Sequence, residues 1–225
     1  MLLLVLGKGK TGSLVAEVAR ERGHGVRVFD LHENKRAAAL TAPNLAGVDV
    51  VVDFTTPESA LENMRAALSL GGRIVVGTTG WYAHLAEMKA LTLRRDGALL
   101  YSTNFSIGVQ KMFRLTAELA RLEDYKFSIS ETHHTSKLDA PSGTALTLKE
   151  IIHTVRPGID VPIESHRLGD AKGEHIVKAA SDHDVIELRH DAHSRRGFAL
   201  GAVRGAEWIA VKSGAWDFRE ILGQL

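Results

Sequence analysis

Leu2-Leu3-Leu4-Val5-Leu6-Gly7-Lys8-Gly9-Lys10-Thr11-Gly12 is the stretch whose reading decides the fold. Its unbroken apolar start describes a strand buried on both faces of a parallel sheet. The Gly-x-Gly-x-x-Gly spacing behind it allows a tight turn and lets a pyrophosphate approach backbone amides at a helix N-terminus. Leu14, Val15, Val18 and Ala19 then recur at helical spacing, and Gly23 closes that helix. Val26 to Phe29 reads as a second strand, ending in Asp30. Alone, the glycine spacing could be a turn in an unrelated α/β protein. Strand, glycine loop, helix, strand and acid in this order make the dinucleotide fingerprint in its required context. Lys8 and Lys10 add positive charge beside the phosphates. Asp30 would accept hydrogen bonds from ribose hydroxyls, which favours NAD over NADP. His32, Lys35 and Arg36 could offset a 2′-phosphate, or simply be a solvated loop. NADH is the expected cofactor, with NADPH also usable.

Working outward, the same alternation continues. Val48 to Phe54 is a strand ending in Asp53-Phe54-Thr55-Thr56. Pro57 suits the first turn of a helix through Leu61, Met64, Ala67 and Leu68. Arg73 to Val76 is a strand ending in Gly77-Thr78-Thr79-Gly80, and a helix carries Leu85, Met88 and Leu91 on one face. Ala98 to Tyr101 is a strand ending in Ser102-Thr103-Asn104-Phe105. Each small polar segment follows a strand, where open α/β sheets form their ligand crevice. Singly these are ordinary turns. Together they predict a cofactor wall of Gly7, Lys8, Gly9, Lys10, Thr11, Gly12, Asp30, Phe54, Gly77, Thr78, Thr79, Ser102, Thr103, Asn104 and Phe105.

Bulk properties narrow the field. The chain has 225 residues, 44% hydrophobic and 24% charged, as in a soluble globular protein. A formal net charge of +1 gives no electrostatic case for nucleic acid or membrane binding. The absence of cysteine excludes disulfides, thiolate metal sites and a Cys nucleophile. The apolar N-terminus is too short for a signal segment, and a cytoplasmic location is expected. The 11 histidines are mostly far apart in sequence, so no metal is assigned.

The chemistry concentrates in Glu131-Thr132-His133-His134-Thr135-Ser136-Lys137-Leu138-Asp139-Ala140-Pro141-Ser142-Gly143-Thr144-Ala145. Phe127 to Glu131 alternates as a strand and delivers His133 and His134 into a loop. Ser142 is a candidate N-cap for a helix through Leu146, Leu148, Ile151 and Ile152. Ser142, Gly143 and Thr144 would then present N–H groups and hydroxyls to an anion, with the Lys137 ammonium aimed at the same place. His133 or Lys137 could protonate a carbanion created by hydride addition. The arrangement asks for a small, oxidised carboxylate. Against this stands the plainer reading of surface histidines and a common helix start.

This stretch, Glu-x-His-His-x-x-Lys-x-Asp-Ala-Pro-Ser-Gly-Thr-Ala, resembles the signature of the dihydrodipicolinate reductase family. Asp53-Phe54-Thr55, Gly77 to Gly80, Asn104 to Val109, Arg167-x-Gly169, Gly173-Glu174-His175-x-Val177, Ser194-Arg195 and Phe198 to Trp208 support the resemblance in family order along nearly the whole chain. The resemblance implies reduction of dihydrodipicolinate, or its 4-hydroxy-tetrahydro form, to tetrahydrodipicolinate with NAD(P)H in lysine and diaminopimelate synthesis. It implies His133 as proton donor or acceptor, Lys137 as proton donor, His134, Gly143 and Thr144 in substrate binding, and the strand-end residues above as cofactor contacts. It also implies a homotetramer assembled through the second domain's sheet. The glycine loop is one residue tighter than the family norm. The link from Asp30 to Val48 leaves room for only a stub of helix at Lys35 to Leu40.

Val161 to Leu168, His175 to Ala180 and Asp184 to Arg189 read as strands, backed by helices at Val109 to Ala120 and Thr144 to Val155. Ala199, Ala202, Val203, Ala206 and Ile209 predict a last helix that returns to the first domain. The expected fold is α/β: a Rossmann-type dinucleotide-binding domain over 1–104 and 198–225, and an α+β substrate and oligomerisation domain with a mostly open sheet over 105–197. Hinges are expected near Phe105 to Gly108 and Arg195 to Gly197. Two rival functions remain: another NAD(P)-dependent oxidoreductase of small carboxylates, and a non-catalytic nucleotide sensor.

Overall fold

In the computed structural model, which describes all 225 residues, the N-terminal apolar run forms β1 (Leu2–Leu6), with Leu3 to Leu6 fully buried. After α1 (Lys10–Glu21), the chain pairs parallel to β1 as β2 (Gly25–Phe29). The short link beyond Asp30 holds a 3₁₀ turn at Lys35–Ala37 and one turn of helix, α2 (Ala42–Leu45). Alternation resumes with β3 (Val50–Asp53), α3 (Pro57–Ser69), β4 (Arg73–Val76), α4 (Leu85–Arg94) and β5 (Ala98–Tyr101). Thr56 caps α3, its side chain accepting the Ser59 amide proton at 3.4 Å, with Pro57 in the first turn. Next come α5 (Ile107–Leu119), β6 (Lys126–His133), α6 (Gly143–Val155), β7 (Ile163–Arg167), β8 (Glu174–Ala180) and β9 (Val185–Asp191). The chain ends in α7 (Arg196–Ile209), β10 (Gly214–Asp217) and α8 (Phe218–Ile221). The last strand and helix were not anticipated; four residues each carry too little periodicity to be read.

The chain divides into two compact units, Met1–Ser106 with Arg196–Leu225, and Ile107–Arg195. In the first, six strands form one parallel sheet in the order β10-β5-β4-β3-β1-β2. Connections run outward in opposite senses from β1 and β3, so the topological switch point lies between these two strands. The central strands are buried on both faces, which is why they read as continuous apolar runs. Leu4, Leu6, Val51, Met64, Leu68, Ile74, Trp81, Met88 and Leu99 belong to one core cluster. Each such side chain contributes roughly 1.5–3 kcal/mol on burial. The returning α7 lies close in because its inner face is small: a Cβ on Gly201 would sit 1.8 Å from the Phe105 carbonyl oxygen. It is also tied to α1 by Arg22–Glu207 at 2.7 Å and Arg196–Glu17 at 2.8 Å.

In the second unit the sheet order is β7-β6-β8-β9, with β6 and β7 parallel and the other pairs antiparallel. Alternation along β6 puts Phe127, Ile129, Glu131 and His133 on its buried side. Val109, Met112 and Phe113 of α5 and Ala145, Leu148 and Ile152 of α6 share a core cluster with Phe127, Ile129, Val177 and Ala179. The strand does not end at Glu131, as the alternation suggested, but runs on through His133. That extension puts His133 on the same side as Glu131, two residues along, rather than in a loop.

Candidate active site

Every residue predicted to touch a cofactor follows the C-terminal end of a parallel strand in the first unit. Gly7 to Gly12 follow β1, Asp30 follows β2, Phe54 follows β3, Gly77 to Thr79 follow β4, and Ser102 to Phe105 follow β5. Gly7 has φ +99°, and a Cβ there would stand 2.3 Å from the Phe54 carbonyl oxygen. A Cβ on Gly12 would stand 2.1 Å from the Gly7 carbonyl oxygen. Gly9, by contrast, has open space, and as N-cap of α1 it supplies no side-chain cap. Such a helix start leaves amides for an anion, so this cradle fits a dinucleotide pyrophosphate.

Behind the wall lies a buried polar chain. Asn34 donates to Asn63 at 2.8 Å, and Asn63 donates to Asp53 Oδ2 at 2.7 Å. Thr78 donates its hydroxyl proton to Asp53 Oδ1 at 2.7 Å, and accepts the Thr55 amide proton at 2.8 Å. Burial pushes the Asp53 carboxyl up against the pull of these donors. The chain fixes Thr78 relative to the ends of β2 and β3. Phe54 closes over Gly77, where a Cβ would meet its ring at 2.2 Å.

Lys8 does not follow the phosphate-side expectation. Its ammonium donates to Glu33 at 2.9 Å and Asp30 at 3.3 Å, because two carboxylates meet at the end of β2. Asp30 Oδ1 accepts the amide protons of His32 and Glu33 at 2.8 and 2.9 Å. These donors, the Glu33 amide foremost, hold Asp30 below the usual carboxylate range. All these side chains are solvated, so a ligand can displace the pairing. Lys10 and Thr11 lie in the first turn of α1.

In the second unit, the predicted proton and substrate residues surround the end of β6. His133 is 9% exposed, and its Nδ1 lies 3.3 Å from Glu131 Oε2. Lys137 bonds both oxygens of Asp139, at 2.7 and 2.8 Å, rather than pointing at the helix start. His134 Nδ1 meets the Ser136 hydroxyl at 2.8 Å, and its Nε2 is 3.5 Å from Arg195. Ser142 caps α6, its hydroxyl oxygen accepting the Ala145 amide proton at 3.2 Å. Gly143 is exposed beside it, with nothing within 4 Å of the space a Cβ would fill. Thr144 is half-buried in the first turn.

Three residues outside the predicted set organise this cluster. Glu131, 1% exposed, accepts the Ser142 amide proton at 3.0 Å. Arg167 donates to Glu131 Oε1 at 3.3 Å and to the carbonyls of Lys137 and Asp139 at 3.2 and 2.5 Å. His175, 4% exposed, sets its Nε2 3.2 Å from the Ser142 hydroxyl, and its ring centroid is 5.0 Å from that of His133. Burial pushes His175 down to about 4 and lowers His133 as well, so both favour the neutral form. Burial also pushes Glu131 up, but hydrogen bonding from Ser142, with Ser165 and His133 close by, outweighs this and leaves it lowered. Glu131, His133 and His175 hold donor atoms within 4.8 Å of one another. Arg167, 3.3 Å from Glu131, already counters the carboxylate charge there.

The comparisons with known proteins agree across the chain. Residues 1–105 match the N-terminal family model of dihydrodipicolinate reductase, and residues 108–222 match its C-terminal model. The chain belongs to the dihydrodipicolinate reductase family. Curated relatives named 4-hydroxy-tetrahydrodipicolinate reductase include one from Christiangramia forsetii, 35% identical, covering 100% of this chain and 99% of the relative. Another, from Natronomonas pharaonis, is 35% identical, covering 98% of this chain and 99% of its own length. Among solved structures, a dipicolinate-bound dihydrodipicolinate reductase from Paenisporosarcina sp. TG-14 has a TM-score of 0.83 at 24% identity, covering 100% of this chain and 99% of that one. An amine dehydrogenase from Mycobacterium smegmatis shares the fold more loosely, with a TM-score of 0.68 at 12% identity, covering 97% of this chain and 95% of that one. As a member of the dihydrodipicolinate reductase family the chain is an NAD(P)H-dependent oxidoreductase of lysine and diaminopimelate biosynthesis. No helix is long and apolar enough to cross a membrane.

For a reductase of this family, Glu131 and His175 carried a usable signal. Strand alternation places Glu131 and His133 on one face, and antiparallel β8 sets His175 opposite Glu131. Arg167 carried none, since its contact with Glu131 spans 36 residues of sequence.

Proposed function

We propose that this chain reduces 4-hydroxy-tetrahydrodipicolinate to tetrahydrodipicolinate, with the first unit holding the dinucleotide and the second the substrate. The overall change consumes a hydride and a proton and releases water. Bound reduced nicotinamide supplies the hydride. The glycine cradle before α1 holds the pyrophosphate, and Gly77 to Thr79 and Ser102 to Phe105 line the nicotinamide side. His134, Gly143 and Thr144 take the substrate carboxylates at the start of α6. Ser142, expected among them, is buried, its amide donating to Glu131 and its hydroxyl oxygen accepting from the Ala145 amide, and holds that start in place. His133 and Lys137 deliver the proton. Neutral His133 can relay one, and the Lys137 ammonium is a ready donor once Asp139 yields it.

One observation carries this reading. An open helix start, two imidazoles and an ammonium share one segment of a chain that also builds a glycine cradle for a pyrophosphate. A nucleotide sensor has no use for the first group.

The finer parts of the proposal are three. NADH is preferred over NADPH, since Asp30 and Glu33 together put negative charge where a 2′-phosphate would lie. The chain crosses between its units at 106–107 and 195–196, and these crossings serve as hinges. It works as a homotetramer in the cytoplasm, with the exposed Val185 and Ile186 of edge strand β9 in the subunit contact. The deciding assay follows NADH oxidation with substrate generated by dihydrodipicolinate synthase from pyruvate and aspartate semialdehyde. No oxidation above the synthase-free control would sink the proposal.

A further inference from the structure

Glu131 is a carboxylate enclosed in the second unit, and its two oxygens face different groups. Oε1 accepts the Ser142 amide proton at 3.0 Å and faces Arg167 at 3.3 Å. Oε2 stands 3.3 Å from His133 Nδ1 and 3.8 Å from His175 Nε2, close charge contacts in which neither Oε2 nor His133 Nδ1 makes a hydrogen bond. A buried charge costs free energy unless it is paired and hydrogen-bonded, and the earlier positions on the same face, Phe127 and Ile129, are apolar. Its neighbours are also locked. Arg167 pairs in register with His133 across β6 and β7, and Glu131 with His175 across β6 and β8.

We propose that Glu131 is the positioning residue of the site: one oxygen orients the His133 imidazole, and the other anchors the helix start at Ser142. Proton relay and carboxylate binding are thereby held in one fixed geometry. With Oε2 as the acceptor, the neutral ring carries its proton on Nδ1, which leaves Nε2 as the exchanging atom. Nε2 lies on the side of Gly173, where a Cβ would approach to 3.2 Å. The glycine leaves room beside the working nitrogen.

The groups facing the His133 ring are Glu131 on its own strand, His175 on β8, Arg167 on β7, and Lys137 and Asp139 in the following loop. His190 faces His175 in turn. Glu131 and Asp139 favour the charged imidazole; burial, Lys137 and Arg167 oppose it. Loss of the Glu131 charge therefore moves His133 further down.

The inference rests on the proton role proposed for His133, and a double-mutant cycle separates the two. Glu131→Gln lowers kcat at least about tenfold, raises substrate KM, and leaves NADH affinity within about twofold. The limb of the pH–rate profile set by His133 moves to lower pH. In a His133→Gln background, Glu131→Gln costs no more than about twofold further in kcat. Independent, multiplying losses would overturn the positioning role. Full turnover in His133→Gln alone would overturn the proton role beneath it, whatever Glu131→Gln does. Should Glu131→Gln fail to fold, ¹⁵N NMR of the wild-type chain decides. A neutral His133 protonated at Nδ1 supports the proposal, and protonation at Nε2 refutes it.

Discussion

The first unit offers a ligand mostly backbone. Gly7 and Gly12 remove side chains so that amides and carbonyls come close, and the nearest charges, Lys8, Asp30 and Glu33, are solvated. The second unit offers side chains, with Glu131, His133 and His175 enclosed and Arg167 bound among them. A backbone site is insensitive to pH and fails when a Cβ intrudes. A side-chain site tolerates small steric change better and fails when a charge or a proton is misplaced. The contrast fits the division of labour proposed for the two units: a dianionic group of fixed shape is held by one, and proton traffic is managed by the other.

The largest expected break is at Lys137. Lys137→Ala should lower kcat by about 10²–10⁴, while NADH affinity, read by fluorescence titration, stays within about twofold. Turnover near wild type would remove Lys137 from the proton role. The mirror experiment is Gly12→Ala, which forces a Cβ to 2.1 Å from the Gly7 carbonyl. NADH should bind at least roughly tenfold more weakly, with dipicolinate affinity unchanged; equal losses for both ligands would mean that the units do not divide the work.

Acid should distinguish the two regions by stability. His175 is pushed down to about 4 and His133 is lowered, so the unfolded chain takes up protons that the folded chain refuses. Stability is therefore full above the ordinary histidine range and falls as pH drops through it, by on the order of 1–3 kcal/mol. Glu131, also lowered, adds a loss of the same sign at lower pH. Urea midpoints at about pH 7.5 and about pH 5 should show the fall, and His175→Gln should flatten it. An unchanged slope in that variant would place the titration elsewhere. The smallest effect is expected at Asp30. Asp30→Ala should shift the NADH-to-NADPH preference by roughly tenfold with kcat retained. An equal change for both cofactors would count against a ribose contact.

What could be read in advance follows the same contrast. The glycine cradle is local, so its spacing and flanking strands disclosed it, and with it the parallel sheet. The His133 to Thr144 segment was conspicuous because its groups are neighbours in sequence. Of its supports, His175 could be set against Glu131 by strand alternation, whereas Arg167 comes from the parallel neighbour β7, where its register partner is His133. Glu131 itself was mistaken for the end of a strand, since a carboxylate interrupts an otherwise apolar alternation. The Lys8 pairing depends on Glu33, a residue that looked like part of a solvated loop.

The interrupted first unit has a bearing on biosynthesis. Residues 1–106 leave the ribosome before residues 107–195, yet α7, β10 and α8, which complete that unit, emerge only after them. Residues 107–195 are contiguous and carry their own core, so they can fold while residues 196–225 are still in the exit tunnel. Until then, the surface of α1 that Glu207 and Arg196 will cover stays bare. A nascent chain of this design completes the unit proposed for the carboxylates before the unit proposed for the nucleotide.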